Sequence, residues 1–140
     1  MSHIRYAAVL QTQAEGGFTV TFPDIAEAIT EGDDRDAALF NAAEVLTLCL
    51  EQRLEDGETI PVATTVKGGI WIEPAAAVQA ALLVRGAREA QGKSLADLAR
   101  ALHTSWPAAQ RLEQAKSNPT LRQLERAAAA LGKRLVVGLA

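Results

Sequence analysis

The residues of this chain best suited to chemistry lie between positions 104 and 122, and that chemistry is recognition of a nucleic acid. Gln110 and Arg111 are neighbours in a short predicted helix. An arginine can grip guanine through two hydrogen bonds, and a glutamine can do the same with adenine, so we predict that both side chains contact base edges. The other predicted DNA-binding residues contact backbone phosphates or lie beside them: Thr104, Ser105, Trp106, Lys116 and Arg122.

Two short helices joined by a tight turn are predicted over residues 94–112, and they must position these side chains. Ser94 can cap the first helix, with Asp97 completing a capping box. Ser105 can cap the second, and a proline in the first helical turn is no loss there. The predicted inward positions follow helical spacing: Leu95, Leu98, Ala99, Leu102, Ala109 and Leu112. This layout is typical of a helix-turn-helix.

The turn between the two helices departs from the usual pattern. His103 occupies the position that usually holds glycine, and Thr104 follows where an apolar residue is common. Histidine is among the non-glycine residues better represented at positive φ, so we predict a left-handed, strained His103. An ordinary αα-hairpin is the alternative for two amphipathic helices. The short turn, the small Ala99 and the polar outward face favour DNA binding.

Charge divides the chain into two unlike halves. Residues 1–74 carry four Lys or Arg against thirteen Asp or Glu, a balance of −9. Residues 75–140 carry ten against four, a balance of +6, and the whole chain has a net charge of −3. We therefore predict two domains with these boundaries. The basic half suits nucleic acid phosphates, and the acidic half suits a cationic partner.

The acidic half shows strand and helix signals in the order β-β-β-α-β. Strands with alternating or apolar side chains are predicted over residues 4–11, 18–22, 28–30 and 70–72. Asp33 or Asp34 can cap the long helix that precedes the last strand. Two stripes widen its predicted inward face: Ala38, Ala42, Val45 and Cys49 beside Leu39, Ala43, Leu46, Leu50 and Leu54. The fold class predicted for the chain is α+β, with a sheet-and-helix sandwich followed by a small all-α domain.

The basic half is predicted to be helical except at its end. One helix runs from Pro74 to about Gly92, and another follows Thr120 and stops at Gly132. The last helix is predicted to bury Leu121, Leu124, Ala128 and Leu131. Residues 133–140 form an apolar run that predicts a strand, and a lone strand needs a partner. We therefore predict a homodimer or higher oligomer through Leu135, Val136, Val137 and Leu139, with pairing to the N-terminal sheet as the alternative.

The sequence offers no arrangement for catalysis or metal binding. His3 and His103 are far apart, Cys49 is the single cysteine, and the motifs of phosphate-binding and nucleophile-bearing loops are missing. We predict no catalytic residue, no metal and no cofactor. Carboxylates such as Asp24 and Glu44 leave a metal-dependent nuclease as an alternative, although capping and loop positions explain most of them. The lone cysteine and the lack of a signal-peptide pattern predict a cytoplasmic location.

The whole chain resembles the HicB antitoxin family, in its subgroup with a helix-turn-helix. The N-terminal resemblance lies in GGFTVTFPDI (16–25), ITEGDDRDAALFNAAEVLTLCLE (29–51) and DGETIP (56–61). The C-terminal resemblance lies in SLADLARALHTS (94–105) and LRQLERAAAALGKRLVVGLA (121–140). The sequence departs from the family after residue 61, where a Pro-Ser continuation is often seen, and at His103.

The resemblance implies a partial RNase H-like N-terminal fold without the catalytic carboxylates of the nuclease. It also implies a partner, a small basic ribonuclease toxin of the HicA family, whose active site the antitoxin would mask. The C-terminal domain would bind the promoter of its own operon. We place the toxin-binding face at the corner formed by Phe22, Pro23 and Asp24. A regulator whose N-terminal domain senses another ligand or protein is the alternative.

Overall fold

The chain divides after Ala76 into two compact units, and each is described by itself. The structure is a computed structural model that describes residues 4–140, so His3 lies outside the described residues. Unit 1 contains β1 (Tyr6–Thr12), β2 (Phe18–Thr21), β3 (Ile29–Gly32), α1 (Arg35–Glu55) and β4 (Ile70–Ile72). Unit 2 contains α2 (Ala76–Ala90), whose first residue is the boundary residue, together with α3 (Leu95–Ala101), α4 (Trp106–Arg111), the 3₁₀ turn Ala115–Ser117 and α5 (Leu121–Ala130).

Unit 1 is an antiparallel sheet of four strands in the order β3-β2-β1-β4. Leu10 of β1 lies opposite Val20 of β2, and Ala8 lies opposite Ile70 of β4. The predicted order of elements, β-β-β-α-β, is confirmed. The third strand begins at Ile29, one residue later than predicted, and extends to Gly32.

Asp34 caps the N-terminus of α1, where its side chain accepts a hydrogen bond of 2.8 Å from the Ala37 amide. One stripe of side chains, spaced by four residues, is buried against the sheet: Ala38, Ala42, Leu46, Leu50 and Leu54. These buried residues come from both predicted stripes, and the remaining residues of the two stripes are only half-buried: Leu39, Ala43, Val45 and Cys49. The inward face is therefore narrower than the sequence pattern predicted.

The end of β3 passes close to the start of α1, and Gly32 makes that approach possible. A Cβ atom at Gly32 would lie 2.3 Å from the Ala38 backbone nitrogen, which no side chain tolerates. The Asn41 side-chain amide also donates a 2.9 Å hydrogen bond to the Glu31 carbonyl. Strand and helix are thereby fixed together at the turn that contains the T-E-G-D sequence.

The segment between α1 and β4 has no helix or strand, and three side-chain contacts hold it in place. The Tyr6 hydroxyl donates to the Pro61 carbonyl at 2.7 Å. The Thr64 amide and hydroxyl both donate to the Asp24 carboxylate at 2.8 Å. Arg53 donates to the Thr59 carbonyl at 3.1 Å.

Arg53 also forms a two-bond ion pair with Glu27 at the C-terminal end of α1. Its Nε atom lies 2.6 Å from Glu27 Oε2, and its Nη2 atom lies 2.8 Å from Oε1. The hydrogen bonds from Arg53 lower the pKa of Glu27 to about 2. The pair joins α1 to the segment that connects β2 with β3.

The core of unit 2 is shared by all four helices. Its buried residues are small or aliphatic: Val84, Leu98, Ala99, Leu102, Ala109, Leu112, Leu124, Ala127 and Leu131. The inward positions predicted for the helix-turn-helix agree with this core at Leu98, Ala99, Leu102, Ala109 and Leu112. Leu121, however, is exposed, because α5 buries Leu124 and Ala127 and so turns its first residue outward.

The predicted C-terminal strand is absent: residues 133–140 form no helix or strand in this chain. A strand exists only when it pairs with another, and none of the four described strands pairs with this segment. Leu135 packs partly buried against the core of unit 2. Val136, Val137 and Leu139 are exposed.

Candidate nucleic-acid interface

The turn between α3 and α4 has the geometry of a helix-turn-helix without its usual glycine. His103 adopts φ 53°, as predicted for the left-handed position. The amides of His103 and Thr104 donate to the carbonyls of Arg100 and Ala99 at 3.1 and 2.9 Å. These bonds satisfy carbonyls at the end of α3, so the chain can reverse within a few residues.

Side chains cap both helices of the motif, as predicted. Ser94 and Asp97 form a complete capping box, and these hydrogen bonds with Ser94 lower the pKa of Asp97. The Ser105 hydroxyl accepts a 3.2 Å hydrogen bond from the Ala108 amide and so begins α4. Trp106 and Pro107 then occupy the first turn of α4, a helix of six residues.

A buried ion pair that the sequence analysis missed fixes α2 to the end of α4. The Arg88 guanidinium donates from Nε and Nη2 to the Glu113 carboxylate at 2.6 and 2.9 Å. Its Nη1 atom donates to the Lys93 carbonyl at 2.8 Å. The bonds to Glu113 raise the pKa of Arg88, so the arginine remains charged. Because Glu113 follows α4 by two residues, this pair ties the end of the candidate recognition helix to α2.

Most of the predicted DNA-binding side chains of unit 2 are exposed. This group contains Thr104, Ser105, Trp106, Arg111, Lys116 and Arg122. Gln110 is half-buried, so only part of its amide faces outward. Within residues 4–140, the side chains of Arg111, Lys116 and Arg122 form no ion pair. Three exposed cations therefore lie on or near the helix-turn-helix with their charges uncompensated by the chain itself.

The three residues predicted to contact a toxin lie in three different environments in unit 1. Phe22 is buried in the core, where a partner could reach its side chain only by opening the unit. Asp24 is engaged by the Thr64 hydrogen bonds described above. Pro23 is the exposed member of the three.

Two further kinds of site were sought in the described part of the chain. Residues 4–140 contain no group of three or more His, Cys, Asp or Glu side chains placed to hold a metal ion. No helix among them is both long and apolar enough to cross a membrane.

Comparison with known proteins assigns a family to each unit. Residues 5–77 match the family described as HicB_like antitoxin of bacterial toxin-antitoxin system, and residues 84–137 match a helix-turn-helix family. Antitoxin HicB 2 of Photorhabdus laumondii is 36% identical over 121 residues, which cover 86% of each chain.

Two other relatives match a smaller part of the chain. Antitoxin HicB 1 of the same organism is 44% identical over 62 residues, covering 44% of this chain and 40% of its own. Antitoxin HicB of Escherichia coli K12 is 37% identical over 59 residues, covering 42% of this chain and 43% of its own.

Proposed function

This chain belongs to the HicB-like antitoxin family, and we propose that it inhibits a ribonuclease toxin of the HicA type and represses its own operon by binding DNA. Unit 1 is the toxin-binding unit in this proposal, and unit 2 is the DNA-binding unit. The chain works without a cofactor and by binding alone, in the cytoplasm where its toxin acts.

The observation that carries the proposal is the opposite charge of the two halves. A toxin that grips RNA has a basic surface, and residues 1–74 have a charge balance of −9. DNA attracts cations, and residues 75–140 have a balance of +6, with Arg111, Lys116 and Arg122 exposed and unpaired within residues 4–140. Each half therefore suits only one of the two partners.

We propose that the DNA-bound form is a dimer or higher oligomer joined through the C-terminal segment. Val136, Val137 and Leu139 are exposed, and within residues 4–140 their backbone pairs with no strand. Pairing with the same segment of a second copy would supply the missing partner, with Leu135 continuing the contact from the core. A dimer demands a near-palindromic operator, with half-sites one helical turn or a multiple apart.

DNA binding by unit 2 is tested by two substitutions that remove cations of different proposed roles. Arg111→Ala should cost roughly 1–3 kcal/mol on the operator and relax preference at one base pair in each half-site. Lys116→Ala should weaken binding to operator and scrambled duplexes alike and flatten the salt dependence, because it removes a phosphate contact. Titrations of both duplexes at two salt concentrations measure these effects. Equal losses for Arg111→Ala on the two duplexes would mean that α4 does not read bases.

Inhibition is tested by co-expressing the full chain with the small basic HicA-type toxin that this proposal predicts to be encoded beside its gene. Growth should be rescued, and the two proteins should purify together. Failure of both would favour a regulator whose acidic unit binds something else.

A further inference from the structure

The outward side of α1 carries a row of exposed residues spaced by four. These are Asp36, Phe40, Glu44, Leu48 and Gln52, which we call the outer ridge. Phe40 is 67% exposed and Leu48 is 62% exposed. Residues four apart lie along one ridge of a helix, and eight residues rise about 12 Å. The ridge therefore presents two large apolar side chains about 12 Å apart, alternating with acidic or polar ones.

The outer ridge cannot be an uncovered part of the unit's own core. The buried stripe of α1 contains Ala38, Ala42, Leu46, Leu50 and Leu54, each two positions after a ridge residue. Two positions correspond to about 200° around a helix, so the stripe and the ridge lie on opposite sides. The sheet covers only the buried stripe. Phe40 and Leu48 thus contribute little to the fold of unit 1.

The charge of the ridge identifies the kind of protein that would cover it. Asp36 and Glu44 flank Phe40 on the ridge, and in the described chain neither forms an ion pair. Packing the ridge against the same ridge of a second copy would bring these carboxylates together, which is unfavourable. A partner with cations around an apolar patch would instead be attracted by every charge on the ridge.

An acidic groove lies at the C-terminal end of the ridge and supports the same conclusion. Leu48 and Gln52 form one side of it, and Glu27, Asp56 and Glu58 contribute carboxylates. Arg53 also lines the groove and neutralises Glu27. The neutral Gln52 amide donates to both Asp56 oxygens at 3.0 Å, so Asp56 and Glu58 keep their negative charge for an incoming cation. A long cationic side chain, with an apolar stem against Leu48, suits these walls.

We infer that the outer ridge and the acidic groove together form the docking surface for a basic protein, with Phe40 and Leu48 as its apolar anchors. The inference rests on the proposed function, under which this basic protein is the toxin. It places the main contact on α1 rather than at the corner around Pro23.

The test compares anchor substitutions with substitutions of equally exposed apolar residues elsewhere in unit 1. Phe40→Ala and Leu48→Ala in the full chain should each weaken binding of the HicA-type toxin used in the co-expression test by at least about tenfold. Ile29→Ala and Val62→Ala are the matched controls, because these residues are 59% and 87% exposed and lie off the ridge. The controls should change affinity by no more than about twofold.

A charge reversal supplies a second, independent measurement. Glu44→Lys should slow association, and raising the salt concentration should shrink that effect. Glu15→Lys, in the exposed hairpin turn, changes the net charge equally and should have the smaller effect. Thermal melting checks that all variants remain folded.

Each outcome has a defined meaning. If the wild-type chain does not bind the basic protein, the proposed function fails and the docking surface fails with it. If the wild-type chain binds and the anchor variants bind equally well, only the docking surface is wrong. If the anchor variants lower the mass of the chain in light scattering, the ridge is a contact between copies, which also overturns the inference.

Discussion

Among residues 4–140, each unit has one arginine–glutamate pair joined by two hydrogen bonds, and the two pairs differ in burial. In unit 2 the side chains of Arg88 and Glu113 are 13% and 7% exposed. In unit 1 the side chains of Arg53 and Glu27 are 20% and 45% exposed. The bonding pattern is the same, so the comparison isolates what removal from water does to an ion pair.

Because the two pairs differ in burial, the loss of one partner should lower the stability of the two units by different amounts. A buried carboxylate without its arginine cannot be compensated by water, whereas an exposed carboxylate can. The Arg88–Glu113 pair therefore determines whether unit 2 keeps its arrangement around α4. The Arg53–Glu27 pair mainly tethers surface segments of unit 1.

The largest expected effect comes from Arg88→Ala, which leaves Glu113 buried and unpaired. We expect a loss of about 3–5 kcal/mol in the stability of unit 2, a large part of what a small domain has. Operator binding should fall in parallel, because α4 loses its attachment to α2. Denaturant unfolding of a Trp71→Phe background, in which Trp106 alone reports on unit 2, measures the change.

Arg85→Ala is the matched control for that substitution. Arg85 lies on the same helix and pairs with Glu89 one turn away at 2.8 Å, but Glu89 is exposed. Its loss should cost only about 0.3–0.5 kcal/mol. Similar losses for Arg85→Ala and Arg88→Ala would show that burial does not distinguish these pairs.

Replacing His103 should raise stability by a smaller amount. The two units also differ in which residue types adopt a positive φ. Every described residue of unit 1 with positive φ is a glycine, whereas unit 2 has His103 and Asn118 at φ 53° and 49°. A left-handed conformation costs a non-glycine residue roughly 1–2 kcal/mol, which glycine avoids. Glycine also raises the conformational entropy of the unfolded chain, and this offsets part of the stability gained.

His103→Gly should therefore stabilise unit 2 by up to about 1 kcal/mol. The same denaturant unfolding experiment measures it, with Asn118→Gly as a comparison in which the gain is smaller because asparagine tolerates this conformation. A loss of stability in His103→Gly would mean that the imidazole makes a contact that outweighs the backbone strain.

Local sequence signals predicted the elements and caps well, because they depend on residues within one helical turn. The capping box of Ser94 and Asp97, the cap at Ser105 and the positive φ of His103 are all present. The order of the four strands and α1 was predicted from alternation and periodicity. Hydrophobic spacing, however, predicted a buried Leu121, whereas the observed rotation of α5 leaves this residue exposed.

Contacts between distant elements were not predictable in the same way. Arg88 and Glu113 are 25 residues apart, and Glu27 and Arg53 are 26 apart. No local period links such residues, because their distance depends on how whole helices and loops pack. Phe40 lies outside the predicted inward face of α1, but whether another element covers it depends on tertiary packing, and the structure leaves it 67% exposed.

The smallest expected effect concerns acid stability and the exposed pair of unit 1. Glu27 has a pKa of about 2 in the folded chain against an ordinary value of 4.5. Folding thus favours the ionised carboxylate. The stability that this carboxylate adds to unit 1 is complete above about pH 4.5 and declines as the pH falls towards 2. Because Glu27 is partly exposed, that contribution is at most about 1 kcal/mol.

Glu27→Gln should therefore destabilise unit 1 slightly at pH 6, and the difference from the wild-type chain should shrink by pH 3. Unfolding is followed in a Trp106→Phe background, where Trp71, whose ring stacks against Arg5 at 4.6 Å, alone reports on unit 1. Glu15→Gln, in the exposed hairpin turn, controls for the loss of one negative charge and should show no such convergence. A difference for Glu27→Gln that is equal at both pH values would mean that the tether to Arg53 does not depend on the carboxylate charge. The contrast between the two pairs would then come from packing of the arginine stems rather than from electrostatics.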